Sequence, residues 1–153
     1  MIGQSNMAGR GFVGEVEPIQ NKNLHVMRNG RWVGMFVPVN CDRPFSGISL
    51  AESFADMCAQ TYHVNVGLIP CADGGTSLSQ WQPGELLYDN VVNNARLAMR
   101  TSEIAGVLWH QGEADCAEEL YPLYEEKCTH IFESLRKDIG LSPDVPFIVG
   151  GTG

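Results

Sequence analysis

Ser5 lies in the segment GQSNMAG, residues 3–9, which places one hydroxyl among glycines and other small residues. Glycine permits positive φ and a close approach of the backbone. A serine in such a turn can therefore present its hydroxyl to a substrate while its backbone N–H faces a developing oxyanion. The chemistry that fits is nucleophilic attack on a carbonyl carbon. An ordinary turn serine is the alternative, because Gly and Ser are common in turns.

Two other polar segments carry groups that could complete such a site. Gly75, in CADGGTSLSQW (71–81), has an unobstructed N–H and could be a second oxyanion donor, although a tight left-handed turn explains it equally well. Gln111, in WHQGEAD (109–115), could supply a third donor from its side-chain amide, or it could cap a loop.

Acidic side chains follow Gln111 closely. Either Glu113 or Asp115 could orient a histidine and stabilise its charged form, although most acidic residues are simply solvated. His110 together with these two carboxylates matches no standard zinc spacing. The sequence therefore predicts no metal site.

The elements that must position these residues alternate along the chain. Short apolar runs alternate with helical patterns, which predicts a parallel sheet with helices on both faces. Strands are predicted at 64–70, 105–110 and 146–151, and a hairpin around Asn29-Gly30 within 24–39. Helices are predicted at 86–100 and 119–138. Their apolar residues are Leu87, Val91 and Ala98 in the first, and Leu120, Leu123, Tyr124, Cys128, Ile131 and Leu135 in the second. Open α/β sheets bind ligands outside the carboxyl ends of their strands, so the three polar segments are expected to meet at one edge.

A further helix is predicted at 49–60. Ser49 and Glu52 form a capping-box pattern at its start. Its predicted inward face is the apolar stripe formed by Leu50, Phe54, Met57 and Cys58.

Bulk properties restrict the class of protein. A chain of 153 residues is expected to form one domain, and its net charge of −8 argues against binding nucleic acid or anionic membranes. No apolar run approaches the roughly 20 residues of a transmembrane helix, and no signal peptide is visible. The five cysteines are odd in number and lack C-x-x-C spacing, so reduced thiols in a cytoplasmic protein are expected.

Four segments in order carry a family resemblance: GQSNMAGRG, RPFSGISLAESFAD, GLIPCADGGTSLSQW and GVLWHQGEAD. Together they resemble the SGNH-type carbohydrate esterases of the sialate O-acetylesterase and acetylxylan esterase group, carbohydrate esterase family 6. The resemblance implies a flavodoxin-like three-layer α/β/α fold with a mostly parallel sheet, and a single SGNH hydrolase domain over 1–153. The implied reaction removes an acetyl group from a sugar through an acyl-enzyme, without a metal or cofactor.

The resemblance also assigns roles to residues. Ser5 matches the nucleophile, and the N–H groups of Ser5 and Gly75 with the side chain of Gln111 match the oxyanion donors. Glu113 matches a proposed acid partner of the catalytic histidine. Residues expected to contact the acetyl ester substrate, a small molecule or an oligosaccharide, are Asn6, Gly74, Trp81 and His110, whereas Trp109 is expected to pack in the core.

One part of the family pattern is not matched. The catalytic base of these esterases is a histidine in an Asp-x-x-His motif, and nothing in residues 1–153 matches that motif. The opening strand is also reduced to Met1-Ile2. The chain is therefore expected to be part of a longer esterase and to be inactive alone. The alternatives are a non-catalytic carbohydrate-binding domain that uses the same cleft and, more weakly, a nucleotide-binding domain suggested by GRGFVG.

Overall fold

The sheet orders its strands so that the first one in sequence lies near the middle. The computed structural model describes residues 1–151. Its strands are β1 (Ile2–Gly3), β2 (Leu24–Arg28), β3 (Arg31–Gly34), β4 (Val66–Leu68), β5 (Val107–His110) and β6 (Phe147–Val149). They form two hydrogen-bonded groups, β3-β2-β4 and β1-β5-β6, in which all neighbours are parallel except the β2–β3 hairpin.

The two groups join where the chain leaving β4 runs beside β1. The N–H of Cys71 donates to the carbonyl of Met1 at 3.0 Å, and the N–H of Asp73 donates to the carbonyl of Gly3 at 2.9 Å. On its other side β1 pairs with β5, with Gly3 opposite His110. Although β1 is only two residues long, it is paired on both edges and therefore sits inside the sheet.

Helices cover both faces of this sheet. They are α1 (Ser5–Ala8), α2 (Ala51–Tyr62), α3 (Leu86–Ala98) and α4 (Tyr124–Ile139). Side chains alternate between faces along a strand. Accordingly Trp109 of β5 packs with the α3 and α4 cluster, whereas Leu108 packs with Met7 of α1. The predicted α/β fold with helices in two outer layers is confirmed, and no helix within residues 1–151 is long and apolar enough to cross a membrane.

The predicted hairpin is present, and its turn has the expected geometry. Asn29 and Gly30 have φ of 49° and 75°, as a two-residue turn between twisted antiparallel strands requires. The prediction for the second helix is wrong about its buried face. The buried residues of α2 are Ala51, Glu52, Ala55 and Ala59, whereas Leu50, Phe54 and Met57 are exposed and Cys58 is half-buried. Small alanine side chains allow α2 to lie close to β2 and β4, and this close packing determines which face of α2 is buried.

The last two helices follow the predicted apolar spacing more closely. In α3 the buried side chains include Val91 and Ala98, as expected. The helix α4 begins later than the predicted 119, because Tyr121–Leu123 forms a separate 3₁₀ turn that contains a proline. Its buried face is Cys128, Ile131, Leu135 and Ile139.

Candidate active site

Ser5 lies at the carboxyl end of β1, on a sharp strand-to-helix turn. Gly3 has φ of +142°, and a Cβ there would lie 2.0 Å from the carbonyl oxygen of His110, so only glycine fits beside β5. The N–H of Gln4 donates to that same carbonyl at 3.0 Å. These contacts fix the backbone immediately before Ser5, which is half-buried and begins α1.

The backbone N–H of Ser5 is available for a ligand. As the first residue of a helix, Ser5 has no carbonyl partner in the preceding turn. Within residues 1–151 neither its N–H nor its hydroxyl makes a hydrogen bond, whereas its carbonyl accepts from Gly9 at 2.9 Å. A nucleophile with an unoccupied N–H beside it is the arrangement that an acyl-transfer site needs.

In the loop of residues 73–76, backbone groups of Asp73, Gly74 and Thr76 form hydrogen bonds, whereas the N–H of Gly75 forms none in the part of the chain that the structure describes. The carbonyl of Asp73 accepts from the hydroxyl of Thr76, and the N–H of Gly74 donates to Asp42. Gly75 has φ of +80° and is exposed, and its N–H has no hydrogen bond within residues 1–151. Because Asp73 pairs with Gly3, this N–H lies at the same sheet edge as Ser5. The left-handed turn expected at Gly75 is present, and its role as an oxyanion donor stays a prediction.

The third polar segment is linked directly to the serine turn. The side-chain amide of Asn6 donates to the carboxylate of Glu113, and both side chains are exposed. Glu113 begins a short 3₁₀ turn, Glu113–Asp115, that follows β5. The structure therefore brings the three polar segments to one edge of the sheet, as the strand order predicts.

Gln111 does not present the oxyanion donor that the sequence suggests. Its side chain is 2% exposed, and its amide nitrogen donates to the carbonyl of Thr76 at 3.1 Å and to Asp115 at 2.5 Å. An amide nitrogen has two hydrogens, so both are used. Asp115 is itself buried and also accepts from the N–H of Leu78 at 2.9 Å. Gln111 and Asp115 thus connect the loop after β5 to the loop that carries Gly75.

The tryptophan expected to contact substrate is in the core. Trp81 is 1% exposed, donates from its indole N–H to the hydroxyl of Thr76 at 3.0 Å, and packs edge-on against Trp109 with ring centroids 6.0 Å apart. The prediction for Trp81 is therefore wrong, because the 3₁₀ turn Leu78–Trp81 directs the ring inward. Trp109 is fully buried, as predicted.

None of the four histidines forms a hydrogen bond with Ser5 within residues 1–151, as a catalytic base would. His110 is half-buried, its ring lies against Gly150, and its Nδ1 is buried without a partner in residues 1–151. His25 lies on β2, His63 ends α2 and His130 is exposed on α4. Within the described residues, no three metal-ligating side chains form a group, and His110, Glu113 and Asp115 are no exception.

Sequence analysis missed an ionic network beneath Gly74. Arg10 binds Asp42 with 2.6 Å between Nη2 and Oδ2, and Arg43 binds Asp73 at 2.8 Å. Burial by itself raises the pKa of Asp42, but hydrogen bonds from Arg10, Ser46 and the Gly74 N–H outweigh it and hold that pKa well below its ordinary value. The only sequence sign was the position of Arg10 and Arg43 within the family-like segments.

Gly74 packs against this network and also lines the neighbouring pocket, so its contact with substrate stays a prediction. A Cβ on Gly74 would lie 2.3 Å from Nη2 of Arg10 and 3.0 Å from Oδ2 of Asp42. A pocket of about 320 Å³ opens beside Gly75, and its wall includes Arg43, Asp73, Gln80, Glu85 and Leu86. Ser5 is not among the residues of the wall, so the pocket adjoins the Gly75 side of the site.

The known proteins that this chain resembles include carbohydrate esterases. A probable carbohydrate esterase of Arabidopsis thaliana, At4g34215, is 30% identical over an alignment 171 positions long, which covers 97% of this chain and 65% of that protein. The chain thus spans slightly less than two thirds of that relative. The crystal structure of the Arabidopsis protein superposes with a TM-score of 0.88 at 28% identity, covering 97% of this chain and 70% of the other.

More distant structures share the fold. NanS superposes with a TM-score of 0.78 at 18% identity, covering 99% of this chain and 65% of its own. A carbohydrate acetylesterase from Xanthomonas citri, XAC1771, superposes with a TM-score of 0.69 at 16% identity over 97% and 39%. A family described as carbohydrate esterase, sialic acid-specific acetylesterase, matches residues 1–153. Since that match spans the whole chain, the chain belongs to this carbohydrate esterase family.

Proposed function

We propose that this chain carries the nucleophile and oxyanion hole of a serine esterase that removes O-acetyl groups from a carbohydrate. The observation that carries the proposal is the position of Ser5 on the turn after a central strand, at the same sheet edge as the unoccupied N–H of Gly75. Membership of the carbohydrate esterase family supports the reaction class.

In the proposed reaction the hydroxyl oxygen of Ser5 attacks the acetyl carbonyl carbon and its proton passes to a base. The carbonyl oxygen becomes an oxyanion, which the N–H groups of Ser5 and Gly75 stabilise. The intermediate collapses when the bond to the sugar oxygen breaks, and the sugar hydroxyl leaves with a proton from the protonated base. Water then attacks the acetyl-serine through the same base and releases acetate, which restores Ser5.

We infer that the base is a histidine outside residues 1–151. His110 is the one histidine next to the site, and its ring is packed under Gly150. Glu113 is available to orient the incoming histidine, because only one of its carboxylate oxygens accepts from Asn6. A carboxylate in this position stabilises the imidazolium that forms during catalysis.

The pocket beside Gly75 is the proposed place for the sugar. Its volume of about 320 Å³ falls at the lower end of small-molecule sites, and it combines polar groups with the exposed Leu86. Arg43 donates to Asp73, to the carbonyl of Gly74 and to the carbonyl of Asp42, which uses three of its five N–H groups. The pocket wall carries one guanidinium, that of Arg43, and two carboxylates, those of Asp73 and Glu85, so a neutral acetylated sugar fits it better than one with a carboxylate.

The proposal is tested in the full-length protein that carries this chain. Ser5→Ala should abolish hydrolysis of 4-nitrophenyl acetate and of acetylated xylo-oligosaccharide, and a serine-directed phosphonate should label Ser5 alone. Ser53→Ala, which changes an exposed serine of α2, is the matched control and should retain activity. Retained activity in Ser5→Ala would refute the assignment, and sugar binding without any Ser5-dependent turnover would favour a carbohydrate-binding module.

A further inference from the structure

We propose that Arg43 is a positioning residue that fixes the direction of the Gly75 N–H in the oxyanion hole. This inference rests on the proposed function, because it assigns Gly75 as an oxyanion donor. Arg43 lies in the loop between β3 and α2, far in sequence from both Ser5 and Gly75. Its role follows from the peptide bond between Gly74 and Gly75.

The carbonyl of Gly74 and the N–H of Gly75 belong to one planar peptide unit. In a trans peptide these two groups point in opposite directions. Nη2 of Arg43 donates to the Gly74 carbonyl oxygen at 2.7 Å, so the Gly75 N–H is held pointing away from Arg43. Rotation of this one peptide would replace the donor in the oxyanion hole by a carbonyl oxygen, which repels negative charge.

Glycine at both positions makes that rotation easy in the absence of a restraint. Gly75 has φ of +80°, and a Cβ there would meet nothing within 4 Å, so the space on that side of the peptide is open. Glycine also visits positive and negative φ with similar ease. Hydrogen bonds to the backbone are therefore the main restraint on its direction.

Both ends of the Gly74 residue are held by one ionic network. The N–H of Gly74 donates to Oδ2 of Asp42 at 2.9 Å, while its carbonyl accepts from Arg43. Asp42 has a side chain that is 2% exposed and is itself held by Arg10, whose Nη1 donates to the carbonyl of Gly9 at 2.7 Å. The network thus connects the end of α1, which carries Ser5, to the Gly74–Gly75 peptide.

The guanidinium of Arg43 is shaped for this task. Nη2 also donates to Oδ1 of Asp73 at 2.8 Å, and Nη1 donates to the carbonyl of Asp42 at 2.8 Å. Three acceptors on one rigid fork leave Arg43 little freedom to move away from Gly74. A lysine has a single ammonium on a flexible stem and can reproduce only part of this geometry.

The test compares Arg43→Ala and Arg43→Lys with Arg28→Ala in the full-length protein. Arg28 is the matched control, because it also donates to loop carbonyls, those of Pro38 and Val39, but not to the Gly75 loop. Loss of a whole oxyanion donor costs about 10²–10³ in kcat. For Arg43→Ala, where the donor is only misdirected part of the time, we expect kcat for 4-nitrophenyl acetate to fall about 10- to 100-fold. The KM for this substrate, which has no sugar to contact the pocket wall, should change less than about threefold.

A second measurement separates positioning from general destabilisation. The rate at which a phosphonate reacts with Ser5 should fall in parallel with kcat in Arg43→Ala, because its phosphoryl oxygen occupies the oxyanion hole. Arg43→Lys should recover part of both rates, and Arg28→Ala should change neither by more than about twofold. If Arg43→Ala is too unstable to purify, Arg43→Lys alone decides: wild-type kcat and phosphonate rate would refute the proposal.

Failure of this inference is distinguishable from failure of the proposed function. Unchanged kcat in Arg43→Ala, together with an inactive Ser5→Ala, would overturn the role of Arg43 and leave the esterase intact. Equal loss of kcat in Arg43→Ala and Arg28→Ala would also overturn it, since both would then act through stability. Full activity in Ser5→Ala would instead refute the nucleophile itself.

Discussion

The side-chain amide of Asn6 donates a hydrogen bond to the carboxylate of Glu113 across the carboxyl edge of the sheet. Asn6 follows the proposed nucleophile, and Glu113 follows the loop that contains Gln111, so this bond ties two of the three polar segments. It also occupies one oxygen of Glu113 and leaves the other available. In the proposed mechanism Glu113 has two separable tasks, to hold the serine turn and to orient a base.

These two tasks predict unequal effects of substitution. Asn6→Ala removes only the link to Glu113, so kcat should fall a few-fold. Glu113→Ala removes the charge as well as this bond, and we expect a kcat roughly tenfold lower than that of Asn6→Ala, because an imidazolium is then left without its anion. Since both variants break the same hydrogen bond, the double variant should resemble Glu113→Ala alone. Strictly additive losses of kcat would show that the bond has no functional role.

For Gln111→Ala the structure predicts loss of stability more than loss of a catalytic donor. The substitution removes two buried hydrogen bonds and leaves acceptors on Thr76 and Asp115 without that partner. We expect the free energy of unfolding to fall by about 1–3 kcal/mol, measured by urea denaturation. Gln82→Ala, which removes a less buried amide bound to Leu78, is the matched control and should cost less. A kcat reduced 10²-fold or more with unchanged stability would instead restore the oxyanion role.

Phe45 is predicted to assist sugar binding. It is 70% exposed and its ring lies 5.3 Å from the guanidinium carbon of Arg10, beside the network that holds Gly74. A sugar ring that packs on Phe45 would bury apolar surface, which is worth about 25 cal/mol per Å². Phe45→Ala should therefore raise KM for an acetylated oligosaccharide about 2- to 10-fold. The KM for 4-nitrophenyl acetate, which has no sugar, serves as the internal comparison. Phe36→Ala, an exposed ring at the same distance from Arg28, should change neither KM.

The ionised state of Asp42 predicts a specific pH dependence of stability. Its pKa in the folded protein lies below the ordinary value of about 4, so its contribution is fully present above that value and is lost as pH falls through the folded pKa. The difference in unfolding free energy between wild type and Asp42→Asn should therefore be largest above about pH 5 and shrink towards pH 2. Asp144→Asn, at an exposed turn, should show little dependence. A difference that grows on acidification would contradict the assigned charge state.

Residues 1–153 purified alone should be inactive against 4-nitrophenyl acetate. A serine hydroxyl is a poor nucleophile without a base, and loss of a triad member leaves only about 10³–10⁴-fold catalysis over water. Activity of the full-length protein under the same conditions is the positive control. Robust Ser5-dependent turnover by the 153-residue chain would mean that one of its own histidines serves as base, and His110→Ala would then identify it.

The sequence by itself located the candidate site, because its strongest features are local. A serine between glycines, a Gly-Gly loop and an amide-acid pair each follow a predicted strand, and parallel strands bring their carboxyl ends to one edge. The Asn29-Gly30 hairpin was predictable for the same reason, since Asn and Gly are the residues that most readily adopt the positive φ of such a turn. Apolar spacing likewise predicted the buried faces of α3 and α4.

Tertiary structure alone decided what each polar group faces. Gln111 turns inward because Thr76 and Asp115, which lie on loops after different strands, offer buried acceptors. Helix α2 buries alanines because it packs close to the sheet, although its larger apolar side chains follow helical spacing more clearly in the sequence. Arg43 reaches the Gly74 carbonyl across 31 residues of chain. Hydrogen bonds between distant loops leave no periodicity in the sequence, so only the packed fold determines the direction of the donor beside Ser5.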